Sequence, residues 1–540
     1  LLSETGASRS ALRELVRRGA VRLVRRPGPA QLLATMGDGA VPEHLSSFTR
    51  NAGRAVDSGG TFLWRTARSE ELDAVTTIAK ATLERGDQAL ILAPEIAVVE
   101  RMVDTLRREL PAGHTVAAYH GGLGRGRAAV YEAARAGEVD VVVGTRTAAL
   151  LALDRPGSIC VVDEPNEAHR AGPGHEGLPL HVRDVALERS RLERAAVFFL
   201  SPFPSLRLYA VEVRKRERIR ELPASRSVRW PAVRIVDMRG SGATFSSTLI
   251  DACRRCVDEG GKVGLILKRL GYATAVSCSH CGAVKRCPKC DLPLVMHGRG
   301  GPLICSRCGY REKAGPCTQC GSSRVRPTGL GVERVRDELS ELLGERVGLI
   351  TADEQDHADA SVVVGTAPRI LDSEWDAVIL PDIDAFLAGN NIGAVEKSFR
   401  LLYGAAEAAK ELLLIQTHLP EHYALRAGVR GDYEKFAAAE LSRLRTLGYP
   451  PFAHVAYLDL EGSEEVVSVT VKSRVRPALE PGVEMSAPVP LRRTGGTTVW
   501  RVLLRSRGRP AVARAAALAA RMAARTHGLK VRVEVDPEEV

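Results

Sequence analysis

Gln88-Ala89-Leu90-Ile91-Leu92-Ala93-Pro94-Glu95-Ile96 reads as a buried strand that stops at a proline and passes into a helix. The apolar run Ala89-Leu90-Ile91-Leu92 offers no polar face, as expected of a strand covered on both sides in a parallel sheet. Outward from it, Val139 to Val143 and Ile159 to Val162 are further buried strands, and helical patterns at roughly 70–85, 96–110 and 125–136 separate them. This alternation runs from 51 to about 222. A second α/β block covers about 230–268, breaks at a cysteine-rich segment and resumes over 330–418. Its strands are Val263 to Leu267, Val347 to Ile350, Ser361 to Val364, Ala377 to Leu380 and Glu411 to Gln416. Past Tyr449-Pro450-Pro451-Phe452, strand–helix–strand patterns close the chain. No internal repeat beyond the cysteine pairs is expected.

A chain of 540 residues is too long for one core, so three or four domains are expected. With 45% hydrophobic and 26% charged residues it is globular and not disordered. No apolar run approaches about 18 residues, which excludes a helical membrane span and a membrane partner. Aromatics at 4% argue against single-strand binding through rows of stacking platforms. The chain opens Leu1-Leu2-Ser3-Glu4 without Met or a secretory signal, the expectation being a fragment or processed product.

Eight of the 11 cysteines form four C-x₂-C pairs: Cys278/Cys281, Cys287/Cys290, Cys305/Cys308 and Cys317/Cys320. Each pair suits a knuckle presenting two thiolates, and two knuckles complete a tetrahedron, so two closed structural Zn²⁺ sites are expected. Nested pairing is favoured, 287/290 with 305/308 and 278/281 with 317/320, leaving His280 and His297 as bystanders. Metal spacing instead of a disulfide framework points to a reducing, cytoplasmic location. Cys160 lies in an apolar strand and Cys253 and Cys256 on a helix, where packing is the expected role.

Near the start, residues 8–19 read as a helix with Arg13 and Arg17 on one face, followed by an alternating basic strand over 21–26 that includes Arg22. Helix then basic strand suits the recognition helix and wing of a winged helix over 1–50.

The strand ends Pro94-Glu95-Ile96, Gly144-Thr145-Arg146 and Asp163-Glu164 lie where parallel sheets build their sites. With the cysteine insertion in the second block, they resemble the PriA family of primosomal DNA helicases. The likeness continues through Tyr119-His120-Gly121-Gly122, Lys268-Arg269-Leu270-Gly271-Tyr272-Ala273, Gln416-Thr417-His418-Leu419-Pro420-Glu421-His422, Tyr449-Pro450-Pro451-Phe452 and Val535-Asp536-Pro537. The resemblance implies an α/β multidomain fold with two RecA-like helicase lobes, a winged helix, a zinc-binding insertion in lobe two and a small α+β C-terminal domain. The implied domains are 1–50 (winged helix, without the family's N-terminal 3′-end-binding domain), 51–222 (lobe 1), 223–270 with 325–430 (lobe 2), 271–324 (zinc insertion) and 431–540 (C-terminal domain). Implied DNA contacts are Arg13, Arg17, Arg22, Pro94, Glu95, Gly144, Thr145, Arg146, Lys268, Arg269, Lys285 and Arg286. The implied partners are branched or forked DNA, single-strand-binding protein and the primosome components that reload the replicative helicase. A monomer is expected.

The resemblance breaks where ATP and Mg²⁺ should sit. No G-x₄-G-K-[ST] string exists, and its place reads Thr66-Ala67-Arg68-Ser69-Glu70-Glu71-Leu72, with carboxylates where a triphosphate would bind. The family's Asp-Glu-Glu-His is Asp163-Glu164-Pro165-Asn166, its Ser-Ala-Thr-Pro is Ser201-Pro202-Phe203-Pro204, and its Gly-Thr-Gln continues here as Gly365-Thr366-Ala367-Pro368-Arg369. The arginine-finger stretch is Tyr403-Gly404-Ala405-Ala406-Glu407-Ala408-Ala409-Lys410. Asp163 and Glu164 are therefore read as vestigial, and the expectation is a replication restart protein without ATPase or helicase activity. The alternatives are an active 3′→5′ DNA helicase with an unorthodox nucleotide site, and a zinc-ribbon adaptor for proteins.

The net charge of +11 is concentrated. Residues 1–36 hold seven Arg against two Glu, and residues 268–329 hold eleven Lys and Arg against two acids, so the rest is slightly acidic. Eight thiolates with two Zn²⁺ would lower the whole chain to about +7 and the zinc module to about +5.

Overall fold

A computed structural model describes residues 34–35, 46–170, 180–210, 219–222, 230–241, 243–268, 275–278, 280–281, 283–288, 293–296, 301–305, 310–313, 315–328, 330–351, 355–356, 359–388, 393–494 and 497–537. The chain divides into two compact units, Leu1–Arg226 and Ser227–Val540.

In the first unit the elements are β1 (Ala34–Thr35), α1 (Ser46–Ser58), β2 (Thr61–Trp64), α2 (Glu71–Leu83), β3 (Gln88–Leu92), α3 (Ile96–Glu109), β4 (Thr115–Tyr119), α4 (Gly126–Arg135), β5 (Val141–Gly144), β6 (Pro156–Val162), α5 (Val182–Glu193), β7 (Ala196–Leu200) and β8 (Ile219–Leu222). They build an eight-stranded sheet in the order β1-β4-β5-β3-β6-β7-β2-β8, parallel except for β1. Central strands are buried along their whole length, which is why they read as unbroken apolar runs. Two apolar layers, one around Ile78, Ile91 and Phe198 and one around Leu90, Val142 and Phe199, cover the two faces.

Helix α1 runs across the expected boundary at residue 50, and Ala52, Ala55 and Val56 are buried in the same core as Ile78 and Val75 of α2. The pair Ala34–Thr35 joins β4 as an antiparallel edge. Burial of α1's apolar face ties the stretch to the first sheet. The expected helix 8–19 and strand 21–26, with Arg13, Arg17 and Arg22, lie outside the described residues.

The second unit opens with β9 (Ala232–Asp237), α6 (Ser247–Asp258) and β10 (Val263–Leu267). The insertion follows as β11 (Ala275–Cys278), β12 (Val295–Met296), β13 (Leu303–Ile304), β14 (Arg311–Glu312) and β15 (Val325–Thr328). The sheet resumes with α7 (Val332–Leu343), β16 (Val347–Ile350), β17 (Gln355–Asp356), β18 (Val362–Thr366), β19 (Trp375–Leu380), α8 (Ala394–Ala408) and β20 (Ala409–Thr417). Its order is β17-β16-β18-β10-β19-β20-β9, parallel except for β17. Helices α9 (Tyr423–Gly428) and α10 (Tyr433–Leu447) lead past a cis Pro450-Pro451 bond. They reach an α+β domain of β21 (His454–Gly462), α11 (Glu464–Thr470), β22 (Glu484–Met485), β23 (Val489–Thr494), β24 (Thr497–Ser506), α12 (Arg509–Ala524) and β25 (Lys530–Val535). Its antiparallel sheet packs Leu458, Val502 and Leu504 against Val512, Ala516 and Ala519 of α12.

One repeat escaped the sequence reading. Val-Val-Val-Gly-Thr occurs at 141–145 and again at 362–366, as β5 of the first sheet and β18 of the second. Both glycines are required sterically. A Cβ on Gly144 would lie 2.4 Å from Ala148 Cβ and 2.5 Å from Tyr119 O, and one on Gly365 would lie 2.6 Å from Ile350 O. Each lobe thus turns out of the equivalent strand through the same steric bottleneck.

Candidate nucleic-acid interface and metal centre

In the first sheet β4, β5 and β3 are neighbours, so the loops after them form one continuous edge. Ala93 N–H donates to Gly144 O at 2.9 Å and Thr145 N–H to Tyr119 O at 3.1 Å, which lock the three loops in register. This edge brings Pro94, Glu95, Gly144, Thr145 and Arg146 together, with Glu95 exposed and Arg146 half-buried. Arg189 of α5 steadies it from behind by donating to Ala149 O at 3.0 Å. The same edge carries residues not singled out from sequence. Arg125 is exposed, Arg127 sits 5.9 Å from the Tyr119 ring centroid, and His120 Nε2 meets Glu100 Oε1 at 2.8 Å. The Gly124-Arg125-Gly126-Arg127 string was the available signal. Glu95 and Glu100 place two carboxylates on an edge that would otherwise suit phosphates.

At the C-terminal end of β2 the structure is unlike a phosphate cradle. A P-loop works because free backbone N–H groups and a lysine face the phosphates. Here Thr66 N–H donates to Ser201 O at 3.2 Å, Ala67 N–H to the Glu70 carboxylate at 3.1 Å and Glu70 N–H to Ala67 O at 3.0 Å. Glu71 and Asp73 fill the first turn of α2, and Arg65 is ion-paired with Glu221 at 2.6 Å. These three N–H groups are therefore already bonded, and Glu70, Glu71 and Asp73 place carboxylates at this corner.

Asp163 and Glu164 end β6. Asp163 adopts φ 50° and accepts from Asn166 Nδ2 at 2.7 Å. Glu164 is fully buried, accepting from Arg183 Nη1 at 2.6 Å, Ser205 N at 2.8 Å and Ser205 Oγ at 2.9 Å. Behind it, His169 and His181 are buried, and burial lowers the pKa of both. His181 Nδ1 caps α5 by accepting from Arg183 N at 3.0 Å. A carboxylate held this way by Arg183 serves the fold of the sheet's edge.

In the insertion, β11 and β15 pair antiparallel and bring the outer knuckles together. Cys278 Sγ lies 3.7 Å from Cys320 Sγ and Cys281 Sγ 3.6 Å from Cys317 Sγ, and all four sulfurs fall within 4.8 Å of one another. Four sulfurs around zinc at about 2.3 Å have edges of about 3.8 Å, so the set fits one tetrahedral ion. Backbone N–H groups from Cys281 and His280 pull the Cys278 thiol down to about 6, and N–H groups of Cys320 and Gln319 lower Cys317. Such N–H donors favour thiolate, the form that ligates. His280 contributes its N–H to Cys278 Sγ at 3.4 Å and no ring ligand to this cluster. Of the inner set, Cys287 and Cys305 are buried together with Leu294, Met296 and Leu303, while Cys290, Cys308 and His297 lie outside the described residues.

The other expected DNA contacts divide. Lys268 is exposed, donates to Ala385 O at 2.7 Å and faces the Phe386 ring at 5.8 Å. Arg286 is exposed and Arg269 lies outside the described residues. Lys285 is buried, with Nζ 3.4 Å from Glu312 Oε1. Cys160, Cys253 and Cys256 are thiols raised chiefly by burial, Cys253 to about 12 and Cys256 to about 11, as expected for packing residues.

Two largely parallel α/β sheets, with loops gathered at their strand ends and a cysteine module inserted into the second, define an α/β multidomain fold. Residues 445–538 match the family model of the primosomal protein N C-terminal domain. The replication restart protein PriA of Bacillus subtilis (strain 168) is 28% identical over 422 residues, covering 72% of this chain and 51% of the relative. PriA of Thermotoga maritima is 27% identical over 434 residues, covering 75% and 57%. Over these spans the chain is similar to PriA proteins. It spans about half the length of the first of these relatives. Among solved structures, RecG bound to a three-way DNA junction aligns with TM-score 0.41 at 12% identity, over 78% of this chain and 54% of that one. MrfA bound to DNA aligns with TM-score 0.43 at 11% identity, over 74% and 56%. Among the described residues no helix is long and apolar enough to cross a membrane.

Proposed function

We propose that this chain is a replication restart protein that binds branched or forked DNA and helps reload the replicative helicase without turning over ATP. The observation that carries the second half is the β2–α2 corner. There the N–H groups of Thr66, Ala67 and Glu70 are bound to Ser201 O, the Glu70 carboxylate and Ala67 O. A triphosphate would have to break these bonds and displace a carboxylate at a helix N-terminus, where anions are favoured but only one fits. Binding to DNA is supported by the likeness to replication restart proteins PriA and by the loop edge that gathers Thr145, Arg146, Arg125 and Arg127. Two Zn²⁺ ions are proposed, one on the Cys278/Cys281/Cys317/Cys320 cluster and one on Cys287, Cys290, Cys305 and Cys308. Their role is to hold the insertion's fold, because a closed Cys₄ site has no open position for chemistry. Single-strand-binding protein and primosome components are the proposed protein partners.

The test is DNA-stimulated ATP hydrolysis by zinc-replete protein on a forked substrate, expected at the no-enzyme background. Turnover that Asp163→Ala abolishes would overturn the reading and restore an active helicase.

A further inference from the structure

Three exposed arginines of the second unit converge on one concavity. Arg234 projects from the edge strand β9, and Arg254 and Arg255 come from the last turns of α6. With Thr248 and Asp251 they line a concavity of about 430 Å³. Positions 248, 251 and 255 recur at helical spacing, so α6 turns one face toward Arg234.

The charge there is not compensated in the way it is elsewhere in this unit. Arg239 pairs with Asp237, Arg334 with Glu338, Arg505 with Glu484 and Arg514 with Glu480. Arg254 instead donates to the backbone carbonyl of Leu342 at 2.8 Å and Arg255 to that of Asp251 at 3.4 Å. Among the described residues none of the three guanidiniums is ion-paired with a carboxylate. Like charges gathered on one concavity repel one another, and an anion relieves that repulsion.

The lining also says which anion. It holds three guanidiniums, one hydroxyl and one carboxylate, and no apolar side chain. An acidic peptide gains much of its affinity by seating apolar side chains, for which nothing is provided here. A nucleic-acid backbone needs only separated cations along an open surface.

We propose that Arg234, Arg254 and Arg255 form a sequence-independent binding site for the phosphodiester backbone of DNA. The site rests on the DNA-binding reading above and adds to the helicase-lobe loops a second point at which a fork can be held.

The test uses the full, zinc-loaded chain and a fluorescent forked duplex, with anisotropy titrations from 50 to 200 mM NaCl. Arg254 is left in place because it also ties α6 to Leu342. The Arg234→Gln/Arg255→Gln variant is expected to bind with a log–log salt slope shallower by about 2, one unit per lost phosphate contact. The Arg234→Lys/Arg255→Lys variant, which keeps the charge, is expected to keep the slope. Unchanged zinc content and melting temperature confirm that the glutamine variant is folded. A wild-type slope in the glutamine variant would overturn the proposal while leaving fork binding intact. A wild-type protein that binds no fork at 50 mM salt overturns the underlying reading instead. Oligoglutamate binding lost in the glutamine variant, with the DNA slope unchanged, would assign the site to an acidic peptide and also overturn it.

Discussion

Replacing Arg183 by Met should loosen the first sheet strongly, because it strands a buried carboxylate. Arg183 is 3% exposed and Glu164 0%, and their N···O distance is 2.6 Å. Removing one partner of a buried pair typically costs about 3–5 kcal/mol, since the remaining charge keeps its desolvation penalty without its counter-charge. Glu164 would retain Ser205 N–H and Oγ–H as neutral donors, which offset part of that cost. The readout is native-state hydrogen exchange at the amides of β7 and of Ser158–Val162 in β6, which are buried. At about 1.4 kcal/mol per decade, protection there should fall by roughly two to three and a half orders of magnitude. Exchange in the C-terminal domain, β21 to β25, should not move. In the Arg183→Met/Glu164→Gln double variant no charge is left uncompensated, and more than half of the lost protection should return. A loss under five-fold in the single variant, or a double variant as loose as the single, would refute the argument that Glu164 is held in place by Arg183.

Two further outcomes follow from the same geometry. His169 and His181 have their pKa lowered by burial from about 6.5, so both are neutral in the folded state near neutrality. Above pH 6.5 they make no pH-dependent contribution. As pH falls below that value the unfolded chain takes up protons first, and stability should drop by up to about 1.4 kcal/mol per pH unit per histidine until the folded pKa is reached. Urea midpoints compared at pH 7.5 and 5.5 check this. His181→Asn, which can keep the cap on Arg183 N, should flatten the dependence, and a slope unchanged by the substitution would count against it. For the metal, Cys317→Ser and Cys305→Ser should each lower bound zinc by one ion of two, measured by atomic emission after dialysis. Two zincs retained in either variant would disprove nested pairing.

The sequence was informative where one interaction type dominates. Strands such as Leu90–Leu92 and Val362–Val364 are covered on both faces, and continuous apolar runs betray that condition directly. The outer cysteine cluster was readable because thiolate geometry leaves few pairings for C-x₂-C spacing. Contacts made across sequence were less accessible. Nothing local says that Lys285 meets Glu312, that Arg183 reaches back 19 residues to Glu164, or that Arg234 faces α6. The missing P-loop was visible as an absence of Gly and Lys. The capture of the Ala67 N–H by Glu70 was not visible, because it depends on the bend between β2 and α2. Helix α1 carried no sequence signal of its own, and it is burial of Ala52 and Val56 that joins it to the first sheet.

The insertion leaves and re-enters its lobe through β11 and β15, paired from Ala275 with Thr328 to Cys278 with Val325, with the outer cysteine cluster at that root. Its two ends therefore meet side by side, and the excursion between them places little demand on the lobe's strand order. The insertion is therefore a closed excursion, and β10 and α7 are joined across it by one short antiparallel pair.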